Sequence, residues 1–384
     1  NILLVGVWVN VVGNNLCVVN GIGVAYAMAV LASDDLAHPP LEALFTIDEE
    51  TGMTGAKNLK GGLMKAKFLL NLDTEDDTEL CIGCAGGVDV TGNGRYEQEA
   101  VPENWSGFQV GVSGLTGGHS GMEIHLGRGN ANKLMNRILK ALGPVRLVEI
   151  DGGGLRNAIP RESTARFAAE ASREVELREA FAKAVADLKT EYATTDGALE
   201  CKLEKMDSAH GRAATLEATA RVIRCIYSLP NGIYRLSPDV DGLVQTSSNL
   251  ARVVLRNGEL TINCLVRGSV NSEKHDMAQA IACALEQIGL NCEFRGDYPG
   301  WVPKPESEVV RLMSEIYREL FQETAHVMAC HAGLECGILG TNYPDMEMIS
   351  FGPNIKGAHS PDERVQVSSV EKSWRLLIET LARL

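Results

Sequence analysis

The residues with the most chemical potential lie in the stretch LEALFTIDEETG, residues 41–52. An apolar run over residues 43–47 has the length and polar borders of a buried strand, and it ends in Asp48, Glu49 and Glu50. Adjacent carboxylates repel unless a positive charge sits between them. A divalent metal supplies that charge: one carboxylate ligates it while another stays free as a base. A solvated acidic turn would look the same in isolation, so the reading depends on its company. Residues 66–72 (AKFLLNL) are a second apolar run, closing on Asp73. Residues 346–351 (MEMISF) are a third, leading through Gly352, Pro353 and Asn354 to His359. In open α/β sheets ligands gather outside the carboxyl ends of the strands. The three segments are therefore expected to bring Glu49, Glu50, Asp73 and His359 to one rim. Carboxylates and a neutral imidazole there suit zinc or its borderline-soft neighbours.

Strands and helices must alternate to build such a rim. Residues 2–12 read as a strand and residues 21–33, rich in Ala and Met, as a buried helix. Strands at 41–47 and 66–72 follow, joined by a short Gly-rich helical connection, which implies a mostly parallel sheet covered by helices on both faces. The character changes near Gly107. Amphipathic helices are expected at 130–142, 173–192, 213–228 and 272–288, with strands at 145–150, 164–168, 243–254 and 259–266. This pattern suits an α+β layer with helices on one face of an antiparallel sheet. Alternation resumes after Trp301 with a helix at 306–321, the 346–351 strand and a closing helix at 369–384. The expected architecture is an α/β domain formed by residues 1–106 and 298–384, split by an inserted α+β domain at 107–297.

Composition narrows the function classes. The 384 residues carry 36 basic and 50 acidic side chains, a net charge of −14, which argues against nucleic acid or an anionic membrane as partner. No charged side chain precedes Asp34, yet Asn10, Gly13, Asn14 and Asn15 interrupt that stretch, leaving it too short to span a bilayer. Ten cysteines are scattered, mostly in apolar runs, as expected of reduced thiols in a cytoplasmic protein. No secretory leader is visible. The C-x-x-C at Cys81 and Cys84 lies in a strand-like stretch and is read as core thiols; His125 is read as structural, and His331 as either supporting the site or opening a helix.

The chain resembles the M20 metallopeptidase family and, within it, the aminoacyl-histidine (Xaa-His) dipeptidases. The resemblance rests on residues 45–52, 70–74, 81–87 (CIGCAGG), 117–132 (GGHSGMEIHLGRGNAN), 157–162 (NAIPRE), 331–337 (HAGLECG) and 350–364 (SFGPNIKGAHSPDER). It implies two zinc ions per subunit, cobalt or manganese being alternatives, in the split domain, with the inserted domain as lid and homodimerisation surface. It implies Glu49 as general base, Glu50 and His359 as ligands of one metal and Asp73 as a ligand of the other. His119 matches a lid histidine that reaches the substrate in the partner subunit's site, and Arg267 matches a group for the substrate carboxylate. The implied substrates are small peptides, Xaa-His dipeptides first.

The departures are confined to the first 20 residues. The family's first signature ends a strand in Gly-His-x-Asp-x-Val, whereas residues 4–11 read LVGVWVNV. Val7 stands for the ligand histidine and Val9 for the aspartate. Val19 stands for the metal-bridging aspartate of the second signature. The loop between the signatures is shorter than the family's, and its N-terminal helical region has no counterpart. Apolar side chains cannot ligate a metal. Either the chain is a catalytically silent homologue kept for binding or assembly, or residues 1–19 do not represent the native N-terminus. The intact Glu49, Glu50, Asp73, His119 and His359 favour the second. A carboxypeptidase or deacylase of the same family would share the metal site.

Overall fold

The apolar run closing on Asp73 forms the strand Phe68–Asn71, in a computed structural model that describes residues 2–11, 18–206, 211–357 and 363–384. It pairs in parallel with Glu347–Ser350, the run that leads towards His359. Glu79–Cys84 lies on the far side of Glu347–Ser350 and pairs in parallel with His326–Cys330. Side chains alternate across this sheet, as the pleat requires. Leu80, Ile82 and Ile349 pack among Tyr26, Met313, Ile316 and Leu377 from the helices Val18–Leu31, Glu308–Phe321 and Val367–Arg383. Leu69 and Met348 face the other way, towards the short helices Thr54–Asn58 and Glu335–Asn342. The result is a mostly parallel α/β layer covered on both faces, within a unit of Asn1–Gly86, Ser237–Leu243 and Pro299–Leu384.

Three expectations for this unit are corrected. Residues 43–47 are not a strand. Leu44 packs beside Ala56 and Ile338, but Phe45 and Ile47 are 53% and 74% exposed. With no strand to pair with, the backbone closes a turn instead, Gly55 N donating to Ile47 O at 3.0 Å. The stretch expected as one strand is instead a hairpin over residues 2–11, Ile2–Val5 with Trp8–Val11, because Gly6 takes a left-handed φ of 63°. The second arm pairs with Arg364–Gln366. The helix Val18–Leu31 buries Tyr26 and Val30 but exposes Val24, Met28 and Leu31, so it is half-buried.

The second unit, Gly87–Leu236 with Val244–Tyr298, is built on a nine-stranded sheet. Its order is Glu200–Lys205, Trp105–Ser113, Ser163–Glu170, Arg146–Gly153, Val244–Arg256, Glu259–Gly268, Gly86–Arg95 and Asn291–Tyr298, with Gly232–Leu236 beside Val244–Arg256. In Ser163–Glu170, Ala165, Phe167 and Ala169 are buried while Thr164 and Arg166 are exposed. That alternation turns one sheet face to the helices Ala131–Ala141, Leu216–Ser228 and Asn271–Glu286 around Leu134, Ile138, Val222 and Ile281. Asn130 caps the first of these helices, accepting from Asn132 N and Lys133 N. The contacts divide the chain after Gly86, not after residue 106 as expected, because Gly86–Arg95 and Trp105–Ser113 both belong to the large sheet.

Candidate active site

Asp73 leaves the Phe68–Asn71 strand half-buried. The segment following Glu347–Ser350 runs beside it. Thr74 Oγ1 and Ser350 Oγ lie 2.9 Å apart, and Asn71 Nδ2 donates to Ser350 Oγ at 3.1 Å. Phe351 N donates to Asn71 O, and Ile355 N to Glu75 O. The structure thus brings Asp73 alongside the segment that leads to His359; His359 itself lies outside the described residues. Gly23 packs against Leu72, so the start of the Val18–Leu31 helix meets the same strand end. Val19 is in that helix, its side chain outside the described part. Val7 is 56% exposed in the hairpin turn, and Val9 packs with Ile355 and Val365.

Glu49 opens the short helix Glu49–Gly52. Asp48 before it is left-handed, with φ 62° and ψ 40°, a conformation that strains most residues but that Asp tolerates through local hydrogen bonds. Its Oδ2 accepts from Thr54 Oγ1 at 2.7 Å. Two residues upstream, Thr46 Oγ1 donates to Glu335 Oε2 at 2.6 Å, and burial pushes the Glu335 carboxyl up. Glu50 follows Glu49 in the same turn, its side chain outside the described part. Among the described residues no three His, Cys, Asp or Glu side chains form a group able to hold one ion.

The second unit gathers His119 and Arg267. His119 lies on the two-residue strand Gly118–His119, paired with Ala158–Ile159. Its main-chain N donates to Glu123 Oε2 at 2.7 Å, and that bond, with Arg128, holds the Glu123 carboxyl below its ordinary range. Its Nδ1 accepts from Gly121 N at 3.2 Å and Met122 N at 3.0 Å. In the neutral ring the proton is therefore on Nε2. Burial first, and then the nearby Arg267 charge, push the His119 pKa down, so the neutral ring is favoured.

Arg267, near the end of Glu259–Gly268, is 5% exposed. Its Nη2 is 3.5 Å from His119 Nε2 and its Nη1 donates to Tyr298 Oη at 3.0 Å. Nε has no partner. Arg267 has no carboxylate partner among the described residues, and the buried Asp89 is already paired with Arg156. Two donors, Nε2–H and Nη2–H, thus face one another with no acceptor between them among the described residues. An anionic oxygen from outside the chain satisfies both.

Sequence reasoning missed Glu335 and Tyr298. The signal for Glu335 was an acidic residue in the otherwise apolar and small stretch HAGLECG; Tyr298 offered none. Cys81 and Cys84 are buried in Glu79–Cys84; burial pushes the Cys84 thiol up to about 12, whereas a hydrogen bond with Cys330 pulls the Cys81 thiol down. His331 is buried in the bend before Glu335–Asn342, and His125 is exposed in a 3-10 turn.

Comparison with known proteins agrees with this fold. The model of peptidase family M20/M25/M40 matches residues 13–383. The chain is 42% identical over 381 residues to the cytosol non-specific dipeptidase of Escherichia coli, covering 98% of this chain and 78% of that protein. The structure of aminoacylhistidine dipeptidase from Vibrio alginolyticus matches with a TM-score of 0.94 and 38% identity, over 100% of this chain and 79% of that one. An aminopeptidase from Bacillus cereus shares the fold at a TM-score of 0.57 and 13% identity, over 100% of this chain and 75% of its own. With its strand ends, its acidic turn and its matched length, the chain belongs to peptidase family M20/M25/M40.

Proposed function

We propose that this chain is a metal-dependent dipeptidase whose preferred substrates are Xaa-His dipeptides. The observation that carries the reading is Arg267: a buried guanidinium without a carboxylate partner among the described residues, facing a second donor on His119. A dipeptidase needs such a group, because the free carboxylate lies one residue from the scissile bond. The related proteins from Escherichia coli and Vibrio alginolyticus bear dipeptidase names, one non-specific and one for aminoacylhistidine.

Family membership implies a divalent metal. Two carboxylates, on Glu50 and Asp73, and the His359 imidazole are donor chemistry that fits such an ion, with the Glu49 carboxylate left free as a base. The bonds between residues 71–75 and 350–355 hold two of the donor segments side by side. The assignment gives Glu50 and His359 to one zinc ion and Asp73 to a second, with cobalt or manganese able to use the same donors. When bound, the metal supplies Lewis acidity that polarises the scissile carbonyl and acidifies water. Glu49 takes the proton from the attacking water and returns it to the leaving amine. His119 Nε2–H, reaching the site of the partner subunit, donates to the developing oxyanion, and the Arg267 fork receives the α-carboxylate.

A homodimer in the cytoplasm fits the reading, the Escherichia coli relative being named a cytosol enzyme. No helix among the described residues is long and apolar enough to cross a membrane.

One observation favours a second reading. Val7, at a position where the resemblance calls for a ligand, lies exposed in a hairpin turn; a catalytically silent homologue with a binding or assembly role would look so. Metal analysis with a hydrolysis assay on β-alanyl-histidine decides. Bound metal with turnover supports the peptidase, whereas neither supports the silent protein. A panel of dipeptides, longer peptides and N-acyl amino acids separates a dipeptidase from a carboxypeptidase or deacylase.

A further inference from the structure

We propose that Tyr298 is a positioning residue for Arg267, the end of a brace that runs from the buried Lys274 ammonium through Tyr298 to the guanidinium. The proposal rests on the reading of Arg267 as the carboxylate-binding group. A guanidinium recognises a carboxylate through a planar fork, so its orientation decides how well it works. Arg267 has a long, rotatable stem and no carboxylate partner among the described residues. Its Nε is unpartnered among the described residues, and its Nη2 faces a histidine nitrogen that carries a proton in the neutral ring. The bond from Nη1 to Tyr298 Oη, 3.0 Å, is what fixes the plane.

Tyr298 is the last residue of its unit, where a strand end would ordinarily fray. Three observations show it held. Lys274, 1% exposed, donates from Nζ to Tyr298 O and to Asp297 Oδ1, both at 2.6 Å. Asp297 Oδ2 also meets His275 Nε2 at 2.9 Å. Burying an ammonium is costly without such partners, and here both partners lie on the two residues that end the strand. The Tyr298 ring is also seated on Gly87, its partner in the strand register. A Cβ at position 87 would come within 2.8 Å of the ring Cε1 and the hydroxyl oxygen. Gly87 is thus the gap that lets the ring lie flat and deliver its hydroxyl to Arg267. The first and last residues of the unit are stacked on each other, and the anion-binding group is tied to that stack.

The test compares β-alanyl-histidine with its C-terminal amide, which lacks the carboxylate. Tyr298→Phe removes one oxygen and leaves the ring on Gly87. The wild-type preference in kcat/KM for the acid over the amide is expected to fall about tenfold, the worth of a hydrogen bond to a charged group. The loss appears in KM for the acid, with kcat held within about twofold, because uniform binding is what is removed. Gly87→Ala, which keeps the hydroxyl but displaces it together with the ring, should reproduce the loss, and the double variant should lose no more than either alone. A merely structural role would lower both substrates together, and that result overturns the proposal. Arg267→Met separates the layers. If it abolishes the acid preference while Tyr298→Phe and Gly87→Ala keep theirs, the brace alone is wrong. If Arg267→Met itself leaves the preference intact, the carboxylate reading fails and takes the brace with it.

Discussion

The turn that carries Glu49 and the cluster that carries His119 and Arg267 are held by different means. Glu49 follows a left-handed Asp48 in a short helix flanked by exposed Phe45 and Ile47. Its placement depends on backbone closures, Gly55 N to Ile47 O and Met53 N to Asp48 O, and on side-chain ties from Thr46 to Glu335 and from Thr54 to Asp48. His119 and Arg267 are set on strands of a large sheet unit and locked by main-chain donors, a buried lysine and a tyrosine ring. A group that must take and release a proton can sit on a strained turn, where small shifts tune its approach. Groups that must orient an anion gain from rigidity, because preorganised donors need no rearrangement when the charge arrives.

The sharpest way to break this comparison is at Glu49. Glu49→Gln in a metal-replete sample is expected to lower kcat by about a thousandfold, within the range of general-base loss, while metal content stays near the wild-type value. Retained turnover would place the base elsewhere. Gly55 comes next. A Cβ there would sit 2.6 Å from Ile47 N and 2.8 Å from Ile47 O, both backbone atoms, so Gly55→Ala must displace the turn two residues before Glu49. Misplacing a catalytic group costs rate steeply, and a loss of about tenfold in kcat is expected, with a lowered thermal midpoint. The control is Gly154→Ala in the other unit, where an added Cβ meets nothing within 4 Å. Equal losses in the two variants would mean that the turn holds Glu49 in no special way.

The same contrast explains what could be read from the sequence. Phe68–Asn71 and Glu347–Ser350 were legible because both faces of their sheet are covered, which writes a continuous apolar run. Helices such as Ala131–Ala141 were legible from their apolar stripe. Glu200–Lys205 and Asn291–Tyr298 were not, because they end the large sheet with mostly exposed side chains, and only a short alternation, Cys201 with Leu203 and Cys292 with Phe294, marks them. The run at 43–47 misled for the opposite reason: it has a strand's composition, yet no neighbouring strand pairs with it among the described residues, and three of its four apolar side chains stay in water. Of the proposed site, the acidic residues stood out by type and spacing, and His119 only through the family resemblance. Tyr298 and Lys274 did not, since their roles come from a register pairing and a burial that no local pattern encodes.

The smallest expected effect sharpens the comparison most, because it reads the cluster without catalysis. His119 has a pKa below its usual value of 6.5, through burial first and the Arg267 charge second. The sign follows directly. On acidification through 6.5 the unfolded chain takes up a proton at His119 before the folded one does, so the stability linked to this group is present above 6.5 and is lost towards the lower folded value. A titration of the ring by NMR should show a midpoint below 6.5. In Arg267→Met the midpoint should rise, since a neighbouring cation no longer opposes protonation. It should stop short of 6.5, since the larger cause is burial and that remains. A midpoint that does not move would mean that the guanidinium exerts no field at the imidazole, and the two could not then act as paired donors to one anion. A full return to 6.5 would mean that the pocket is wet, and the rigidity ascribed to this cluster would have to be sought elsewhere.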